Sequence, residues 1–341
     1  MTVAPAISPT SSTRSTARRD QNVLQRLVRH RLAQIGLALL MLLLVAAFFA
    51  RPIVDATVNS SELQREVARQ QKLAKPQDTR ALMSYSKGIK PVTGEPHTPD
   101  ATFLLGADTL GRDVWTRVLY GARLSLQVGF FAMLSSVLIG TTVDLISGYF
   151  GGWIDGALMR LTDIVLSLPT VLLVIAFVAV LPTDAIDNPL FRFHIGAETL
   201  DRRVFNLLFV IGLVTWTRIA RAVRGEVLSL KGREFIEAAR ATGGSHGRII
   251  WKHLLPNVIP TVIVLATLAT ANNILLEAGL SYLGLGVEPE TPSWGGMIAE
   301  GQPYLLSAPW ITLAPGVAIV LAVAAFNLLG QALQEILEPR A

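Results

Sequence analysis

The chain has no cysteine among its 341 residues. Disulfides, thiolate metal sites and cysteine nucleophiles are therefore excluded. Charge is scarce: Asp, Glu, Lys and Arg make up 16%, where a soluble domain carries about 25%. The histidines are scattered with no i,i+4 pair, so no metal site is expected. No G-x-x-x-x-G-K-[ST] run occurs, so the chain cannot cradle ATP in that way. A membrane-embedded hydrolase would need a paired nucleophile and base, and none is evident.

What replaces charge is apolar length. Hydrophobic residues make up 51% of the chain. Residues 32–50, 124–143, 164–183, 257–276 and 301–334 contain no charge. Each is long enough to cross a hydrocarbon core, which takes about 20 helical residues. Residues 204–217 are shorter, but Arg218 and Arg221 can snorkel to an interface and extend them. The expected class is an all-α integral membrane protein with six spans.

The basic residues are unevenly placed. The N-terminal tail carries Arg14, Arg18, Arg19, Arg26, Arg29 and Arg31 against Asp20. Between spans four and five lie Arg224, Lys231, Arg233, Arg240, Arg248 and Lys252. Between spans five and six there is no Lys or Arg, only Glu288, Glu290 and Glu300. The positive-inside rule puts the first two regions in the cytoplasm, the third outside, and both termini inside. Residues 52–121 are also basic but are expected outside, since long loops translocate regardless of charge. Basic residues that flank apolar spans, with no interleaved aromatics, argue against nucleic acid as a partner.

The organisation follows: a cytoplasmic tail (1–31), a first span (32–52), an extracytoplasmic segment with a surface helix (53–121), and a five-helix core (122–341). That core includes a cytoplasmic loop (221–256). Residues 1–20 read as disordered, 61–73 as a short charged helix, and Pro91 to Pro99 as irregular chain. Asp108 or Thr109 is placed to cap a helix through Val114, Val118 and Leu119, lying at the membrane surface. Gly148 to Asp155 is expected to turn tightly, and Pro169 to kink span three. A Gly- and Pro-rich loop from Thr291 to Gly296 is expected at the outer mouth.

The polar loop between spans four and five carries the most information. Residues 233–241 hold strong helix formers. Gly243-Gly244 should end that helix in a left-handed turn. Ser245 is a cap for a second helix through Ile249, Ile250, His253 and Leu254, with Pro256 closing it. The result is an elbow of two short helices whose alanine faces let another protein approach closely. On residues alone, a solvated loop obeying the positive-inside rule remains an alternative.

Arg233 to Gly243, with His253-Leu254-Leu255-Pro256-Asn257, resembles the EAA signature of ATP-binding-cassette importer permeases. Leu105 to Asp108, Gly111-Arg112-Asp113, Tyr120 to Leu126, Gly148 to Asp155, Leu276-Glu277-Ala278, Leu280 to Gly286 and Phe326 to Gly330 are similar to the dipeptide, oligopeptide and nickel permeases. The resemblance spans about residues 24–340 and is to the C-type permease, with its extra N-terminal module. It implies a six-helix type I importer fold in the bacterial inner membrane. It also implies a second homologous permease, two ATPase subunits that bind ATP and magnesium, and an extracytoplasmic substrate-binding protein. This chain would hold no cofactor and would not be an enzyme. Glu234, Glu237, Ala238, Ala239, Gly243, Leu255 and Pro256 become the positions expected to contact the ATPase. The cargo expected is a di- or oligopeptide, with a nickel chelate or another small solute as the alternative. A secondary transporter driven by an ion gradient is the rival from another class.

Charges in the spans are read separately. Asp163 is expected to pair with Arg160 at i,i+3, or to line the translocation path. Glu277 is expected at a hydrated outer mouth or on that path. Of Asn272 and Asn273, at least one is expected to bond another helix, with Asn273 also a pathway residue. Asp144 stands where the family usually has Gly, which puts close packing there in doubt; interfacial hydration is expected.

Overall fold

The computed structural model describes residues 25–50, 104–181, 202–287 and 291–337, with isolated positions 96, 98, 99, 194–195 and 198–199. The tail 1–20 and the helix expected at 61–73 lie outside the described residues. Helix α1 is Arg31–Phe48, α2 Val114–Phe150, α3 Gly152–Ser167, α4 Thr170–Val180 and α5 Arg202–Lys231. Then come α6 Glu234–Ala241, α7 His246–Ile249, a wider turn Ile250–Leu254, α8 Leu255–Tyr282, α9 Trp294–Gly301 and α10 Trp310–Leu337. A two-residue antiparallel pair joins His194–Ile195 (β1) to Glu198–Thr199 (β2).

Five helical stretches are long and apolar enough to span a membrane: α1, α2, α5, α10 and the continuous run His246–Tyr282. Together α3 and α4 supply a sixth, bent by 93°. Exposed Leu37, Met41, Leu42, Val45 and Phe48 on α1, and Leu313, Val317 and Val320 on α10, give these helices apolar outer faces. Such faces suit hydrocarbon, where the backbone must satisfy its own hydrogen bonds.

Five boundaries differ from the sequence reading. The expected surface helix and span two are one helix of 37 residues, α2. At 1.5 Å per residue it is about 55 Å long, more than a hydrocarbon core of about 30 Å. The expected surface helix is therefore an extension of the span and not a separate helix lying at the surface, and no break falls at 121. Span three is broken outright at Leu168 and Pro169, because proline disfavours helical backbone in the residue before it. The loop expected to begin at 221 is still helix until Lys231. Pro256 closes nothing: it lies inside the continuous helical run His246–Tyr282, directly after the wider turn Ile250–Leu254. The outer loop also becomes helical from Trp294, capped by the Ser293 hydroxyl accepting from the Gly296 N–H at 3.1 Å.

Packing is close between α2 and α5. A Cβ on Gly140 would lie 2.8 Å from the Trp216 carbonyl oxygen, and one on Gly148 would lie 2.7 Å from a Val227 methyl. Small residues at these two points let the backbones approach, as membrane helix interfaces require. Asp144, midway between them, is fully buried and neither carboxylate oxygen has a hydrogen-bond partner. The side chain is shielded from solvent where interfacial hydration was expected, and close packing survives on both sides of it.

The end of the molecule away from the elbow is held by charge. Asp108 accepts from the backbone N–H groups of Leu110 and Arg112, each at 2.9 Å. Its other oxygen takes Arg112 Nε at 2.6 Å and Arg117 Nη1 at 2.7 Å. Both arginines continue to Glu300 on α9. The helix cap is Asp113, not Asp108 or Thr109; it accepts from the Thr116 N–H at 2.8 Å. Burial pushes the Asp113 carboxyl above its usual range, against the hydrogen bonds from Thr116. Trp294, wholly buried, donates from Nε1 to the Val118 carbonyl at 3.0 Å and so pins α9 to α2.

Candidate functional site

The elbow is built as the residue types demand. In α6, Glu234 and Glu237 occupy the first turn and Arg240 the last, each sign favourable to the helix dipole. The helix ends in a Schellman turn. Gly244 N–H donates to the Ala239 carbonyl at 2.9 Å and Gly243 N–H to the Arg240 carbonyl at 3.0 Å. Gly243 takes the left-handed conformation this turn needs, with φ 78°. The Ser245 hydroxyl caps α7 by accepting from the Arg248 N–H at 3.4 Å. From there α7, the wider turn and α8 form one uninterrupted helix, so the elbow is a short helix jointed onto the base of a span.

One face of the elbow is anchored and the other is free. Ile236 is fully buried among Leu145 and Tyr149 of α2, Val223 and Val227 of α5, and Ile249 and Leu254. Ala239 and Leu255 are half-buried against the same cluster. Tyr149 Oη lies 2.7 Å from His246 Nδ1, and the Arg240 guanidinium sits 5.5 Å above the Tyr149 ring. Glu234, Glu237, Ala238, Gly243 and Pro256 are exposed. Phe235 and Trp251 are exposed beside them; their apolar surface was not singled out from the sequence, although both lie in the polar loop. Ile236 thus packs α6 into one buried cluster with residues of α2, α5 and α8.

Above the elbow, α3 is laced to α5 by charge. Asp155 accepts from Arg224 Nε at 2.6 Å and Nη2 at 2.5 Å, and also from the Ser147 hydroxyl. Asp163 pairs with Arg221, not with Arg160, because α5 lies alongside α3 and supplies a guanidinium directly. The Asp163 and Arg221 side chains are 50% and 56% exposed. Ionic side chains in spans face a bundle interior or a wet cavity, not lipid. The exposed pair therefore suits polar surroundings on this face of α3 and α5.

The three expected pathway residues are not brought together. Glu277 is fully buried between α2 and α8, accepting from Ser125 at 2.8 Å and Ser281 at 2.8 Å. It is not at a hydrated mouth, since two hydroxyls take the place of water. Asp163 is on the α3 face. Asn273 lines a cavity of about 330 Å³ between the start of α4, α5 and the C-terminal half of α8. Its amide nitrogen has no hydrogen-bond partner. Among the described residues neither Asn272 nor Asn273 makes the interhelical bond expected of them. No cluster of three or more His, Cys, Asp or Glu able to hold a metal occurs among the described residues.

Comparison with known proteins accords with this geometry. Residues 136–341 match the family described as binding-protein-dependent transport system inner membrane component. Residues 21–76 match the N-terminal TM domain of oligopeptide transport permease C. A dipeptide transport system permease protein of Alkalihalophilus pseudofirmus is 43% identical over 242 residues, 71% of this chain and 73% of that protein. Glutathione transport system permease proteins of Pectobacterium atrosepticum and Escherichia coli O6:K15:H31 are 36% and 37% identical, covering 71% of this chain and 74% of each relative. A membrane anchored by apolar helices, an elbow jointed onto three of them and a sequence match over most of the chain agree: this chain belongs to the family of binding-protein-dependent transport system inner membrane components.

Proposed function

We propose that this chain is one of two permease subunits of an ATP-driven importer for short peptides, with the elbow Glu234–Ala241 as the contact for a separate ATPase. The observation that carries the reading is the asymmetry of α6. Its outer face is open, with Glu234, Glu237 and Ala238 exposed, while Ile236 is locked into three spans. An exposed helix rigidly joined to the spans can turn an external stroke into a tilt of the pathway. Glu234, Glu237, Ala238, Ala239, Gly243, Leu255 and Pro256 are the contact and hinge positions in this reading, with Phe235 and Trp251 added as apolar contacts. ATP and magnesium belong to two ATPase subunits, and a substrate-binding protein delivers cargo on the opposite side. The basic elbow and basic N terminus favour a cytoplasmic location in a bacterial inner membrane, with both termini inside. The peptide cargo is carried over from the dipeptide and glutathione relatives.

The absence of cysteine makes a direct test available. An Ala238→Cys variant has a unique thiol on the open face of the elbow. In membranes containing the partner subunits, a thiol crosslinker should capture the ATPase, and proteoliposomes with the binding protein should import labelled dialanine or glutathione only with ATP inside. Capture of no ATPase, or labelling of this thiol only from the binding-protein side, refutes the reading.

A further inference from the structure

Three arginines, Arg218, Arg221 and Arg224, recur at i,i+3 along α5. Two have carboxylate partners on α3: Arg224 pairs with Asp155 and Arg221 with Asp163. One step further along this ladder, α3 ends at Leu168 and the chain turns through 93° into α4. No acid follows in α4. Arg218 is exposed and has no ion-pair or hydrogen-bond partner among the described residues. It opens instead onto the cavity of about 330 Å³, whose wall includes Thr170, Asn272, Asn273, Leu276 and Leu283.

Three independent features of that cavity suit an anion. The first is the free guanidinium. The second is the N-terminus of α4, an 11-residue helix beginning at Thr170. Its first N–H groups lack intrahelical partners and carry the positive end of the helix dipole. The third is Asn273, only 1% exposed, whose amide nitrogen has no partner. A buried donor left unpaired is costly, and an acceptor entering the cavity would relieve that cost. Leu275, Leu276, Leu280 and Leu283 also line it, which suits an apolar group next to the anion. Arg218 lies 13 residues before Lys231, about 20 Å along the helix axis. An unpaired arginine near the middle of this helix marks a solute path more readily than a lipid face.

We infer that this cavity is a solute site within the membrane: it binds the carboxylate of the transported molecule, with Arg218, Asn273 and the N-terminus of α4 as donors and the leucines against the adjoining apolar part. The solute carboxylate completes the ladder that Asp155 and Asp163 begin. This rests on the reading of the chain as a peptide importer, since a free peptide or glutathione carries a carboxylate. Arg218 and Asn273 are then binding residues of the pathway, separate from the elbow that receives the stroke.

The experiment uses the complete transporter in proteoliposomes, with its binding protein, and labelled dialanine or glutathione, whichever the wild type imports with ATP. If the wild type imports neither, the reading as a peptide importer fails and this inference with it. Where import occurs, Arg218→Gln should lower initial uptake by about tenfold, the loss of one charge-assisted hydrogen bond. ATP hydrolysis stimulated by the binding protein should persist in that variant, and Arg218→Lys should restore most of the uptake. Wild-type uptake by Arg218→Gln overturns the site. So does equal loss of uptake and hydrolysis in both variants, which would make the arginine structural. A second measurement leaves the donors intact: benzoylphenylalanine in place of Leu283 should capture the labelled solute on illumination, and unlabelled solute should compete. Capture only of lipid or of the second permease would assign the cavity to that neighbour and overturn the inference.

Discussion

Arg117, in the first turn of α2, and Glu300, in α9, meet 183 residues apart in sequence, with Nη1 to Oε2 at 2.6 Å and Nη2 to Oε1 at 3.1 Å. Arg117 also holds Asp108, so one guanidinium joins the segment before α2, α2 itself and α9. Replacing Arg117 by Leu would leave Asp108, whose side chain is 3% exposed, with one cation in place of two. Truncating one member of a buried ion cluster costs about 3–5 kcal/mol. Thermal unfolding of the purified chain in detergent should show a loss of that order for Arg117→Leu. A change below about 1 kcal/mol would mean that the cluster contributes little beyond a surface pair.

Gly243 makes a different kind of demand. A Cβ there would meet no atom within 4 Å, so the only cost of a side chain is the left-handed backbone, φ 78°. For a non-glycine residue this is about 1–2 kcal/mol. Gly243→Val should fold and assemble but import less solute per ATP hydrolysed, whereas Gly243→Asn, which tolerates this region, should remain near wild type. Equal import per ATP in the Val variant and wild type would show that the turn does not govern coupling.

Asp155 and Arg224 form a bidentate pair with side chains 18% and 30% exposed. A double-mutant cycle with Asp155→Asn and Arg224→Gln, followed by thermal unfolding, should give a coupling of about 0.5–3 kcal/mol, towards the lower end because solvent reaches both groups. Additive single changes would show that α3 is held to α5 by packing and not by this pair.

Asp144 predicts a gain. Its carboxylate is buried without a hydrogen-bond partner between two points of close helix contact. Asp144→Ala keeps the Cβ and removes the unpaired group, and should raise stability by about 1–3 kcal/mol. Asp144→Leu should lower it, since the α2–α5 interface has little room to spare. A loss of stability in the alanine variant would contradict the unpartnered assignment.

Much of this was legible from local rules. Lipid-compatible length follows from counting uncharged residues, and the end of α6 follows from Gly243-Gly244 after a run of helix formers. Helix-breaking at Pro169 was also readable, but its size was not: a kink was expected and a 93° bend is observed. Pro256 misled because a proline suggests a helix end, whereas here the helix runs on through it after a wider turn. The partner of Asp163 was misassigned because i,i+3 spacing pointed to Arg160, while the guanidinium that reaches it comes from α5. Glu277 was misplaced for a similar reason: hydropathy puts it near a span end, but Ser125 and Ser281 enclose it. The spacing of Arg218, Arg221 and Arg224 was visible, and acids at Asp155 and Asp163 were a signal for a ladder. That the ladder runs out at Arg218 needed the position of the break.

Sequence alone determined that this is a multi-span membrane protein with a polar elbow, because hydrocarbon imposes length and charge constraints that each segment must satisfy by itself. Tertiary structure decided which charges are paired, which are buried and which face a cavity. Those outcomes depend on neighbours distant in sequence, 183 residues apart for Arg117 and Glu300, and no local pattern encodes the distance between two helices.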